Sequence, residues 1–149
     1  MPIGQTDRND VLATIRELFA SGGPRNREAA IRDVANALGY RRLGPRIREV
    51  LGNDVQTAVR RGILERSGGE YSLLCRGIGQ YTLDHLVAML AAAMGGVWQT
   101  RAEATTAAAR HLGYRRTGHK IAAAFKSAIN AAIRRGLIER DGPNMIRRI

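Results

Sequence analysis

The chain has 149 residues, enough for one ordinary domain or two small ones, and its 44% apolar content is that of a soluble globular protein. It carries 24 basic residues against 13 acidic ones, a formal charge of +11, so a polyanion is the first partner to consider and an Arg-biased, solvated surface is the plain alternative. A single cysteine, Cys75, excludes an intramolecular disulfide and a Cys-rich zinc site.

The first ten residues, MPIGQTDRND, lack the basic-then-apolar layout of a signal peptide. Thr6 to Ala20 places Val11, Leu12, Ile15, Leu18 and Phe19 at helical spacing. The run Ser21-Gly22-Gly23-Pro24 ends that helix. Asn26 can cap a second helix, Arg27 to Leu38, whose apolar set is Ala30, Ile31, Val34 and Leu38. Gly39 stands where a helix C-terminal glycine belongs.

A turn containing Tyr40, Arg41 and Arg42 leads to a third helix, about Pro45 to Arg61, with Pro45 suited to its first turn. At 100° per residue, Ile47, Leu51, Val55 and Ala58 form its apolar stripe. Asp54 interrupts that stripe. Either the helix breaks near Gly52, or Asp54 is buried against an arginine, because an unpaired buried carboxylate is too costly; a continuous helix is expected. Gly62 ends it, and Ile63–Arg66 and Tyr71–Leu74 read as two short strands joined through Ser67–Glu70.

The chain then repeats itself. Shifted by 74 positions, Arg27–Tyr71 aligns with Arg101–Met145 without a gap, and 17 of the 45 pairs are identical. LGYRR recurs at Leu38 and Leu112, and RRGILER at Arg60 returns as RRGLIER at Arg134. Upstream, the same shift sets Asp10, Leu12 and Ile15 on Asp84, Leu86 and Met89. A whole folding unit is therefore used twice, giving two domains, 1–76 and 77–149. In the second, Thr100 and Glu103 form a capping box. The third-helix stripe becomes Ile121, Phe125, Ile129 and Ala132, and the hairpin becomes Leu137–Arg140 and Met145–Ile149.

Helix, helix, tight turn, helix and β-hairpin is the order of the winged helix-turn-helix superfamily, which the sequence resembles twice along nearly its whole length. The expected fold is mainly α with short β-hairpins, an α+β class of two tandem winged units. More loosely, the stretch from Gly113 to Arg140 resembles winged-helix-like segments at the ends of large bacterial helicase–nuclease proteins, although no helicase or nuclease motif is present.

The resemblance implies that each third helix docks in a DNA major groove. The face opposite the apolar stripe shows Arg46, Glu49, Asn53, Gln56 and Arg60 in the first unit, and Lys120, Ala123, Ser127, Asn130 and Arg134 in the second. Arg, Lys, Asn, Gln and Ser can pair with base edges or phosphates; an ordinary hydrophilic face is the alternative, and Glu49 would oppose the DNA charge. Arg41, Arg42, Arg115 and Arg116 occupy the turns that run near the backbone in such docking, unless they are solvated or pin helix carbonyls. Arg61 and Arg135 complement the helix dipole. Arg66 and Arg140 stand at the wings, His119 at a helix start, and Arg147 and Arg148 form a basic tail or a frayed end. Tyr40 and Tyr114 read as packing residues and Trp98 as a core plug.

Residues 1–74 carry 12 Arg against 9 acids, and residues 75–149 carry 12 Arg and Lys against 4. The second half is therefore the stronger expected anion-binding surface. Aromatic residues make up 5%, poor material for stacking unpaired bases. Cys75, His85, His111 and His119 show no metal spacing, and no phosphate loop or carboxylate cluster is present. No enzyme activity and no cofactor are expected. Double-stranded DNA is the expected partner, in the cytoplasm or on the nucleoid, as a regulator or a nucleoid- or defence-associated factor. A protein-assembly module, a homodimer and double-stranded RNA binding are the alternatives.

Overall fold

The computed structural model describes residues 7–149. Thr6, which opens the expected first helix, lies outside them. Two compact units form: the first comprises Met1–Arg76 with Leu112–Arg115, the second Gly77–His111 with Arg116–Ile149. Both are mainly helical with small antiparallel sheets, an α+β class.

In unit 1, α1 spans Arg8–Gly22. Asp7 caps it, its carboxylate accepting from the Asn9 N–H at 2.7 Å. Gly23, at φ 81°, stops it in a conformation that L side chains avoid. A two-residue strand, β1 (Arg25–Asn26), precedes α2 (Arg27–Ala37). Asn26 caps α2 by accepting from the Ala29 N–H at 2.8 Å. α3 spans Pro45–Arg60, β2 Leu64–Ser67 and β3 Glu70–Leu73. The sheet order is β1-β3-β2, with Arg25 opposite Tyr71 and Leu64 opposite Leu73.

Unit 2 opens with a single 3₁₀ turn at Ile78–Gln80, followed by α4 (Leu83–Ala93). Then come β4 (Gln99–Thr100), α5 (Arg101–His111), α6 (His119–Arg134), β5 (Ile138–Asp141) and β6 (Met145–Arg148). Its sheet order is β4-β6-β5. The capping box is reciprocal. The Thr100 N–H donates to Glu103 Oε1 at 3.1 Å, and the Glu103 N–H donates to Thr100 Oγ1 at 3.0 Å.

Each core forms where one helical stripe meets the next. Val11, Leu12, Ile15 and Phe19 of α1 are buried with Leu51, Val55 and Ala58 of α3. Leu86, Val87, Leu90 and Met94 are buried with Phe125, Ile129 and Ala132 of α6. Those four α4-side positions match the α1 set at a shift of 75, not 74. The upstream pairing of Leu12 with Leu86 and Ile15 with Met89 is therefore out by one residue. Ile15 is fully buried whereas Met89 is only half-buried, and Leu90 takes the core position.

Asp54 does not break α3. It is 3% exposed, and Arg8 Nε reaches its Oδ1 at 3.0 Å. Burial still pushes its pKa above the ordinary value, against the Arg8 charge and hydrogen bond and the Arg61 charge. Arg61 NH1 donates to Asn9 Oδ1 at 2.9 Å. Arg135 pairs with Asp84 at 2.8 Å. Both arginines thus tie the end of the third helix to the start of the first in their own unit.

One expectation fails here. Trp98 is not a core plug: it is 40% exposed, with the Arg147 guanidinium 4.7 Å from its ring centre. Arg147 and Arg148 lie in the second hairpin strand, within the expected Met145–Ile149 segment, and not in a frayed end. Arg147 pairs with Glu139, and Arg148 NH1 donates to the Ala91 carbonyl at 3.0 Å. Cross-strand pairing of β5 and β6 sets Glu139 opposite Arg147. Tyr40 and Tyr114 are half-buried. The Arg16 guanidinium lies 4.2 Å from the Tyr114 ring centre, and burial raises the Tyr114 pKa. No helix among the described residues is long and apolar enough to cross a membrane.

Candidate nucleic-acid interface

Helical periodicity fixes which side chains of α3 face outward. With Leu51, Val55 and Ala58 buried, Arg46, Glu49, Asn53, Gln56 and Arg60 are all exposed. Among the described residues no ion pair or hydrogen bond occupies the Arg46, Asn53 or Gln56 side chain. Arg60 NH2 donates to Thr57 Oγ1 at 2.8 Å, which aims its guanidinium along the last turn of the helix.

The hairpin meets this face. Gln56, Val59, Arg60, Arg66 and Tyr71 line one shallow cleft, so three of the expected site residues come together there. The Arg66 guanidinium stands 5.9 Å from the Tyr71 ring centre. The two guanidinium groups at this cleft, Arg60 and Arg66, can hold a phosphate oxygen by charge-assisted hydrogen bonds. Arg41 and Arg42 are exposed in the turn before α3.

In unit 2, His119, Lys120, Ser127 and Arg134 are exposed along α6, and Arg116 and Arg140 are exposed in the preceding turn and the hairpin. Asn130 differs. It is half-buried, and its Oδ1 accepts from Arg101 NH1 at 3.1 Å. Arg101 also donates from Nε to the Pro143 carbonyl at 3.1 Å, joining helix, hairpin and α6 at one point. Arg115, grouped with unit 1, is not a free turn arginine. Its Nε reaches Glu17 Oε1 at 2.8 Å and its NH2 donates to Thr14 Oγ1 at 2.7 Å.

Sequence reasoning missed the arginine that opens the second helix of each unit. Arg101 holds Asn130, and the Arg27 guanidinium lies over Gly52, so close that a Cβ there would sit 2.3 Å from its NH2. The signal was available, since Arg27 and Arg101 are an identical pair in the 74-residue alignment. Among the described residues no group of three or more His, Cys, Asp or Glu is placed to hold a metal ion. No protein-family model matches the chain, and no curated protein and no solved structure is significantly similar to it.

Proposed function

We propose that this protein binds double-stranded DNA without catalysis, through two units of the winged helix-turn-helix type. Each third helix enters a major groove, which is about 12 Å wide and admits one helix. The preceding turn and the hairpin contact the flanking phosphates. One observation carries the reading: Gln56 and Arg60 of α3 share an open cleft with Arg66 of the hairpin, so groove-facing and backbone-facing groups form one continuous surface. The order helix, short strand, helix, turn, helix, hairpin in each unit supports it, as does the +11 charge.

The test is a fluorescence anisotropy titration of a labelled duplex across a salt series. With about eight phosphates neutralised, log K should fall against log[salt] with a slope of about −7. Absence of binding at low ionic strength would end the proposal. A second reading, a protein-assembly module, is favoured by one observation: Leu83, Val97, Trp98, Leu137 and Ile149 are large, apolar and exposed in unit 2. Light scattering over a concentration series, without DNA, reads self-association directly.

A further inference from the structure

The two outward helix faces differ in the chemistry they offer. The α3 face presents Arg46, Glu49, Asn53 and Gln56, all exposed. Each matches a base edge: Arg with guanine O6 and N7, Asn and Gln with adenine N6 and N7, and Glu with the cytosine N4 amine. Glu49 is the informative member. A carboxylate on a DNA-facing surface repels every phosphate, so it weakens binding to all duplexes and is compensated only where an amine donor meets it.

The α6 face is poor in such groups. Ala123 offers no hydrogen bond, Ser127 is tolerant of any base, and the Asn130 acceptor is already engaged by Arg101. An adenine pair needs that acceptor for the N6 amine. What remains is cationic: exposed Lys120 and Arg134 stand 14 residues apart, about 21 Å along the helix axis. Unit 2 has 10 basic residues against 4 acids, and unit 1 has 14 against 9, so fewer carboxylates oppose a phosphate on unit 2.

We infer that unit 1 reads the base sequence while unit 2 grips the backbone without reading it. This inference rests on the duplex-binding reading and divides the labour within it.

The experiment first selects a preferred duplex from a random pool with the full chain, then measures affinities for that duplex and a scrambled one. Glu49→Ala should raise affinity for the scrambled duplex about three- to tenfold, relaxing specificity. Asn53→Ala and Gln56→Ala should each weaken the preferred duplex about tenfold and leave the scrambled one unchanged. Lys120→Ala and Arg134→Ala should weaken both duplexes equally and reduce the salt slope by about one each. All five side chains are exposed, so unchanged melting temperatures verify that the variants fold. Tight binding with no preferred sequence would overturn the inference and leave duplex binding standing. So would loss of discrimination in the Lys120 and Arg134 variants with none in the α3 variants. No binding of any duplex at low salt would overturn both.

Discussion

Unit 1 closes its third helix over a charge, and unit 2 closes the matching helix over a methyl group. Asp54 and Ala128 occupy the same place in the 74-residue alignment, and both are buried. The helices nonetheless run the same length, Pro45–Arg60 and His119–Arg134. The apolar stripe and the turn before it are enough to set the element. What differs is the local cost, which unit 1 offsets with a partner from another helix, Arg8. The same contrast extends outward, where α3 is polar and α6 alanine-rich.

The largest expected effects test whether the two cores are equivalent. Leu51 and Phe125 share an alignment position and are fully buried. Phe125→Ala should cost about 3–5 kcal/mol and Leu51→Ala about 2–5 kcal/mol in urea unfolding. A cost below about 1 kcal/mol at either position would mean that the helix does not pack as described.

The next effect separates the units. Arg8 is 51% exposed at its side chain and can return to water, whereas Asp54 cannot. Arg8→Ala should therefore destabilise by about 2 kcal/mol, since it strands a buried carboxylate. Asp54→Ala should cost clearly less, because Ala128 shows that the helix accepts alanine there. Equal costs would mean that the ion pair, and not desolvation, dominates the site.

Acid should move the two units in opposite directions. The Asp54 pKa is raised, so the folded state holds the proton more tightly than the unfolded chain. Unit 1 should gain stability as pH falls from neutrality toward 3.8, and Asp54→Ala should abolish that gain. The Glu103 pKa is lowered, chiefly by the Thr100 backbone N–H and then by its side chain. The stability contributed by that cap is present above 4.5 and is lost as pH falls through the depressed value. Glu28 is lowered too, first by its hydrogen bond to Arg48. That pair is exposed and screened in about 1 M salt, so hydrogen exchange of the two units in high salt isolates the contrast.

The smallest effect compares caps. Asn26→Ala and Thr100→Ala should each cost about 1 kcal/mol, measured by thermal melting. A much larger loss at Thr100 would mean that it also holds the β4 strand in place.

Much of this was legible in the sequence where the cause is local. Asn26, Gly39 and Pro45 mark helix ends through groups one to four residues away. The outward faces followed from helical period, except at Asn130, which is half-buried under Arg101. The two-residue strands β1 and β4 were not legible, since two residues carry no alternation. Nor was it legible which distant segments meet, although an arginine was one of the two expectations for Asp54. Arg8 lies 46 residues from Asp54, Arg101 29 from Asn130, and Arg115 98 from Glu17. Trp98 and Arg147 meet only because β4 pairs with β6. Burial of an aromatic near a two-residue strand depends on a partner that composition does not name.

That meeting has a spectroscopic consequence. Trp98 is the chain's one tryptophan, and it stands part-way into water under a fixed guanidinium. Its indole dipole responds to that charge and to the surrounding water, so its emission colour and quenching report the hairpin of unit 2. Unit 1, with tyrosines alone, is dark under selective indole excitation. The molecule thus carries a built-in optical label on one unit only, and changes at the two units can be separated without attaching a dye.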